Sequence, residues 1–358
     1  TLYSYQNEAI DSWYVAGRKG ILAMATGTGK TYTALGAVQR LIVSGERNFL
    51  CTISVPQLHL IDQWAEALRR FGLPITPVVV DSTNPGWQKQ LSRRINDLLS
   101  GGSKPVVAIG SHASVSSEDF QQLFRRIAGR RQALLIGDEV HRLGAPRYRQ
   151  ALLDGYTWRL GLSATPDRYM DELGSNVIRD FFGDTVFEFS LDKAICSINP
   201  ETGRTYLVPY RLFPLIARMN QSEMGQYVAL SRQISKLAVM GADVTEDEHL
   251  ERLYFKRARL LRDAADKETV FRHWLAGVRE SLHHTVIYCS EKQINYVCRG
   301  LAEMHVTYHT FTMKEGVQPE EQFGGKTERE EVLEAFAEGT YQALVAMKCL
   351  DEGVDVPP

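Results

Sequence analysis

Apolar residues in the first half of this chain fall in short runs, separated by longer stretches of mixed polarity. "GILAM" (20–24), "FLCTISV" (49–55), "PVVAI" (105–109), "ALLIG" (133–137) and "WRLGLSA" (158–164) are nearly continuous rather than alternating. Such runs suit strands buried on both faces. Between them the period changes. "KTYTALGAVQRLIV" (30–43) and "PQLHLIDQWAEALRRF" (56–71) read as helices, the second with Leu58, Ile61, Ala65 and Leu68 on one face. Pro56 opens that helix, where a missing N–H is tolerated. The alternation predicts an α/β fold with parallel sheets flanked by helices.

The pattern shifts after residue 185. "TVFEFSL" (185–191) alternates, "ETGRT" (201–205) is a turn, and "YRLFPLIARM" (210–219) is a further extended run. Residues 221–267 are charged and strand-free, which predicts two or more helices. Strand patterns return with "HTVIYC" (284–289), "HVTYHTF" (305–311) and "YQALVAM" (341–347), with a helix near 291–304. "KEGVQPEEQFGGK" (314–326) reads as a loop. A chain of 358 residues exceeds one ordinary core. The expected division is a first domain over 1–185 and a second over 186–358, with a helical insertion at about 220–268.

Composition narrows this little. Hydrophobic residues make up 44% and charged residues 23%, a globular balance without a membrane-spanning run. The net charge of −2 gives no global field for nucleic acid, although a local basic cleft fits inside a neutral total. Five cysteines without a C-x-x-C pair read as reduced thiols, so the expected compartment is cytoplasmic. Neither Thr1 nor the closing "CLDEGVDVPP" reads as a natural terminus, and a longer parent protein is expected.

The chemistry concentrates in three places. In "MATGTGKTY" (24–32), Gly27 and Gly29 let the backbone turn N–H groups toward phosphate oxygens. Lys30 would reach the β- and γ-phosphates, and Thr31 would ligate Mg²⁺. Met24 stands where the strict phosphate-loop pattern has its first glycine. In "LLIGDEVH" (134–141), two carboxylates end a buried strand, where open α/β sheets bind ligands. Asp138 would hold Mg²⁺ and Glu139 would activate water. In "GLSATPDR" (161–168), Ser163 and Thr165 could relay the state of the γ-phosphate, or simply cap the next turn.

Together these segments resemble superfamily 2 helicases and translocases. "ATGTGKT" is similar to their motif I (with Thr26, Gly27, Thr28, Gly29, Lys30 and Thr31 on ATP), "DEVH" to motif II and "SATP" to motif III. The resemblance implies tandem RecA-like domains, with ATP and Mg²⁺ as cofactors and His141, Ser163, Ala164 and Thr165 in coupling. "LYSYQNEAI" (2–10) resembles the Q motif, which places Gln6 on the adenine edge. "VPQLHLIDQW" (55–64) resembles motif Ia, which places Pro56 and Gln57 on the nucleic-acid backbone; Ser111 and His112 fall where motif Ib would lie. "VIYCS" (286–290) is similar to motif IV, and "CLDEGVDVP" (349–357) to motif V, with Gly353 and Asp355 toward the nucleotide. Gln63-Trp64 and "DEGVDVP" resemble the XPB-like, UvsW-like and restriction-enzyme translocases, which favours DNA over RNA.

The implied function is an ATP-dependent nucleic-acid translocase or helicase. The alternative is an ATP-gated clamp or scaffold that recruits a nuclease or complex without processive motion. The family's motif VI and its arginine finger would follow motif V, and slow hydrolysis by this segment alone is expected. The paired arginines (Arg69, Arg70, Arg93, Arg94, Arg125, Arg126, Arg130 and Arg131) read mostly as helical surface charge. His283 and His284 lack metal-ligand spacing with the cysteines, so no zinc site is expected.

Overall fold

A computed structural model of the chain describes residues 2–168, 171–239, 248–312 and 327–347. It divides into two compact units, Thr1–Arg211 and Leu212–Pro358.

The first unit carries strands β1 (Lys19–Met24), β2 (Phe49–Val55), β3 (Val78–Val80), β4 (Val106–Ser111), β5 (Gln132–Gly137), β6 (Trp158–Ser163) and β7 (Thr185–Phe189). Its helices are α1 (Ser4–Val15), α2 (Lys30–Val43), α3 (His59–Arg70), α4 (Trp87–Leu99), α5 (His112–Val115), α6 (Glu118–Arg125), α7 (Glu172–Phe182) and α8 (Leu191–Cys196). The strands form one sheet in the order β3-β4-β2-β5-β6-β1-β7, and every pairing in it is parallel. The continuous apolar runs have their predicted meaning: β2 is buried along its whole length. One core gathers Trp13, Leu35, Phe49, Ile53, Trp64 and Leu162; the other gathers Leu50, Ile95, Phe120, Leu135 and Phe182.

Two expectations need correction. The boundary placed after residue 185 is too early, because β7 pairs in parallel with β1 and Phe189 and Ala194 enter the first core. In α3 the buried face is Leu60, Ile61, Trp64, Ala67 and Leu68, whereas Leu58 is exposed. The helix starts at His59, so a phase counted from Pro56 misplaces its first turn. Strand β3 carries only three residues, too short a run to stand out in the sequence.

The second unit opens with irregular chain in place of the extended run at 210–219, and then forms the hairpin α9 (Gln221–Val239) and α10 (Glu248–Arg262). Ile234, Leu250 and Leu253 close that hairpin, within the helical stretch expected at 220–268. Next come α11 (Asp266–Val278), β8 (Thr285–Tyr288), α12 (Ile294–Glu303), β9 (Tyr308–Phe311), α13 (Glu328–Ala337) and β10 (Ala343–Ala346). The strands pair in parallel in the order β8-β10-β9. The loop expected at 314–326 and the motif V positions Gly353 and Asp355 lie outside the described residues.

Candidate functional site

The carboxyl ends of β1, β6 and β5 lie side by side, since these strands are neighbours in the sheet. The three chemical segments follow those ends and so converge. Met24 closes β1 and is buried in the core. Its backbone is ordinary strand, so this position makes no demand that only glycine meets. The demand falls on Gly27 (φ +84°) and Gly29 (φ +78°). A Cβ on Gly29 would lie 2.6 Å from Gln6 Nε2. Thr28 is buried, and its Oγ1 donates to the Ala25 carbonyl at 2.6 Å, closing the loop on itself. Thr26 is exposed and Thr31 half-buried. Helix α2 begins at Lys30 with Gly29 as its N-cap and no side-chain cap, which leaves its first N–H groups for an anion.

Helix α1 braces this loop from behind. Tyr5 Oη donates to the Thr28 carbonyl at 2.6 Å, and Gln6 Nε2 lies 3.3 Å from the Thr28 and Gly29 carbonyls. Gln6 Oε1 accepts from Tyr3 N–H at 2.9 Å. Burial pushes the Tyr5 phenol up, so it stays a donor. The Gln6 carboxamide, expected at an adenine edge, is turned onto the loop backbone here.

Asp138 and Glu139 follow β5, with different surroundings. Asp138 is buried; Trp64 Nε1 donates to its Oδ2 at 2.9 Å and Glu139 N–H to its Oδ1 at 3.1 Å. Burial, and then the charge of Glu139, lift its carboxyl from an ordinary 3.8 to about 6 despite these bonds and Lys30. Trp64 was the contributor that sequence reasoning missed as a site residue. Its signal was present: an indole N–H on the buried face of a helix requires an acceptor. Glu139 sits at φ +43°, a left-handed conformation costly for a residue with a Cβ. Its Oε1 pairs with Lys30 Nζ at 3.1 Å.

The coupling candidates gather around Glu139. His141 Nδ1 lies 3.0 Å from Ser163 Oγ and 3.6 Å from Glu139 Oε2. Thr165 N–H donates to Ser163 Oγ at 3.1 Å, while the Ala164 and Thr165 side chains are exposed. A residue given no role beforehand, Arg168, donates to the His141 carbonyl at 2.7 Å and pairs with Asp171.

The proposed nucleic-acid contacts divide. Pro56 and Gln57 are half-exposed after β2. His112 is wholly buried, with Nδ1 2.7 Å from Ser54 Oγ, so the surface contact expected of it is corrected to an internal strut between β2 and α5. Burial first, and then the electrostatic influence of neighbouring Arg142 and His141, lower its pKa from 6.5 to about 3. Ser111 is nearly buried and accepts from Ser114 N–H as the cap of α5. The arginine pairs behave as surface charge: Arg69 and Arg70 bind Glu66, Arg125 binds Glu118, and Arg131 donates to the Leu98 and Leu99 carbonyls.

Among the described residues no three His, Cys, Asp or Glu side chains form a metal cage, and no helix is long and apolar enough to cross a membrane.

Comparison with known proteins follows this geometry. The family described as "Type III restriction enzyme, res subunit" matches residues 1–168. The chain is 27% identical over 367 residues to the DNA 3'-5' translocase XPB2 of Sulfurisphaera tokodaii, covering 99% of this chain and 72% of that protein. It is 29% identical over 218 residues to the Type I restriction enzyme EcoAI endonuclease subunit of Escherichia coli, covering 58% of this chain and 23% of the relative. Among solved structures, the DNA-bound Type ISP restriction-modification enzyme LlaBIII superposes with a TM-score of 0.58 at 13% identity, over 100% of this chain and 25% of that one. The Hef helicase domain of Pyrococcus furiosus superposes with a TM-score of 0.51 at 16% identity, over 99% and 88%. At these identities the structural likenesses establish the fold alone.

Proposed function

We propose that this chain is a superfamily 2 helicase or translocase, as its similarity to the res-subunit family and to the archaeal translocase supports, and that it couples ATP hydrolysis to movement along DNA. The observation that carries the proposal is the convergence of the phosphate loop, the Asp138–Glu139 pair and Ser163 at adjacent strand ends, closed by the 3.1 Å Lys30–Glu139 contact.

A nucleotide fits these residues. The left-handed glycines and uncapped α2 form an anion cradle, and Lys30 supplies the charge. Mg²⁺ fits too. Asp138 is a buried carboxylate held back from ionising, which a cation would relieve, and Thr31 would add a hydroxyl. Two protein oxygens suit an ion that takes the rest of its shell from phosphate and water. Bound there, Mg²⁺ would neutralise charge on the phosphates.

The protein's own part follows from its contacts. Phosphate oxygens compete with Glu139 for Lys30, since both are anionic acceptors. Drawing Lys30 onto phosphate releases Glu139, which then takes the proton of the attacking water. His141 and Ser163 hold the other Glu139 oxygen in place. The same hydroxyl accepts from Thr165 N–H, so a change at Glu139 reaches the exposed 164–165 turn. DNA as the track is supported by the named activity of the archaeal relative and by the Gln63-Trp64 resemblance. Pro56 and Gln57 would meet the backbone of the strand.

The test is phosphate release from ATP with duplex DNA, single-stranded DNA and RNA, paired with triplex displacement. Stimulation by duplex DNA with displacement is expected. Hydrolysis indifferent to every nucleic acid would refute the motor; stimulation without displacement would favour the clamp.

A further inference from the structure

A cavity of about 850 Å³ opens beside the phosphate loop, lined by Gly27, Thr28 and Gly29 and also by Tyr3, Gln6 and Tyr206. Tyr206 comes from far along the chain, after β7 and α8, beyond every segment that carried a motif in the first unit. Its position is built rather than incidental. Ile198 and Thr205 form an antiparallel bridge that closes the preceding turn, and Leu207 N–H donates to the Ala194 carbonyl at 2.9 Å. The Tyr206 ring packs edge-on against Tyr3 (5.4 Å between centroids), Tyr5 (4.8 Å) and Phe189 (5.6 Å). Its neighbour Leu207 reaches the loop itself, since a Cβ on Gly27 would lie 3.0 Å from Leu207 Cδ2.

We propose that Tyr206 is a base-positioning residue: its fixed ring forms an apolar wall against which the nucleobase of a bound nucleoside triphosphate packs. The inference rests on the nucleotide reading given above. Phosphates on the Gly27–Gly29 backbone place the rest of a nucleotide within reach of the adjoining cavity. A planar base gains from contact with an aromatic side chain whatever its edge. Gln6 cannot supply that contact, because its carboxamide is committed to the loop carbonyls and Tyr3 N–H. A wall already held by three other aromatic rings loses little freedom when a base arrives.

Equilibrium binding of a labelled ATP analogue and of inorganic tripolyphosphate to the whole chain tests this. Tyr206→Ala should weaken the analogue about tenfold, a typical loss for one aromatic–base contact, and leave tripolyphosphate unchanged. Tyr206→Phe should bind both like the parent, since the ring face and not the hydroxyl is used. A thermal melt of each variant shows that the first unit still folds, and the tripolyphosphate arm reports an intact loop. Equal weakening of both ligands would mean that Tyr206 acts only through Leu207 on the loop, and would overturn the proposal. So would an unchanged affinity for the analogue in Tyr206→Ala. Failure of the parent chain to bind either ligand would instead overturn the nucleotide reading itself, and the role of Tyr206 with it.

Discussion

Two sides of one row of strand ends are built from similar residues and behave differently. On one side Lys30, Glu139, His141 and Ser163 meet within hydrogen-bonding or ion-pairing reach at the strand ends, the charged ones partly open to water. On the other, Asp138, Trp64, Ser54 and His112 interlock inside the fold. The open side can change partners: Lys30 exchanges a carboxylate for a phosphate without unfolding anything. The closed side cannot, and there burial dominates, lifting Asp138 and lowering His112. A residue's chemistry in this site therefore depends on which side of β5 its chain leaves it.

Substitutions can break that contrast, most strongly on the open side. Glu139→Gln should bind ATP near normally and lose about 10²–10⁴-fold in the hydrolytic step, the range for a general base. Single-turnover phosphate release measures it, and near-parent turnover would remove Glu139 from the role. Lys30→Ala should weaken an ATP analogue by at least about 30-fold, as for loss of one partner from a desolvated charge pair. Calorimetric titration reads this, and unchanged affinity would sink the phosphate-loop assignment.

On the closed side the effects are on stability and carry opposite pH signs. The native pKa of Asp138 lies above its unfolded value, so between about pH 4 and 6 the native state binds the extra proton. Stability therefore falls as pH rises through that window, by about 3 kcal/mol once the carboxylate is ionised. Asp138→Asn should remove this slope and melt higher than the parent at pH 7.5 in the absence of nucleotide, with the gap closing near pH 4. A gap independent of pH would show that Asp138 is not held protonated by burial.

His112 has the reverse sign. Its native pKa is depressed, so the unfolded chain takes the proton first and stability is lost as pH falls below 6.5. Between pH 7.5 and 5 that loss is about 2 kcal/mol. His112→Gln keeps a polar partner for Ser54 and should flatten the acid limb by that amount. Denaturant midpoints at the two pH values decide, and an unchanged limb would return His112 to the surface.

The sequence by itself determined every strand but β3, their parallel pairing and which residues stand at their ends, while adding an extended run at 210–219 that the fold does not form. Continuous apolar runs and helical periods are local signals, and Gly27, Gly29, Lys30, Asp138 and Glu139 are meaningful by spacing alone. Burial is not local, and four points rested on it. His112 and Ser111 looked like surface contacts beside a strand end, yet the fold buries both, His112 against Ser54 of β2 and Ser111 as the cap of α5. Trp64 was quoted as part of a branch signature, and only the tertiary placement of α3 made it a hydrogen-bond donor to Asp138. The division between units moved to Arg211 because β7 finds its partner in β1, more than a hundred residues earlier. Tyr206 had no signal at all, since nothing in "ETGRTYLVPY" separates an aromatic wall from an ordinary turn residue. Sequence order fixes which atoms are neighbours along the chain; which are neighbours through space, and so which charges lose their water, was decided by tertiary structure.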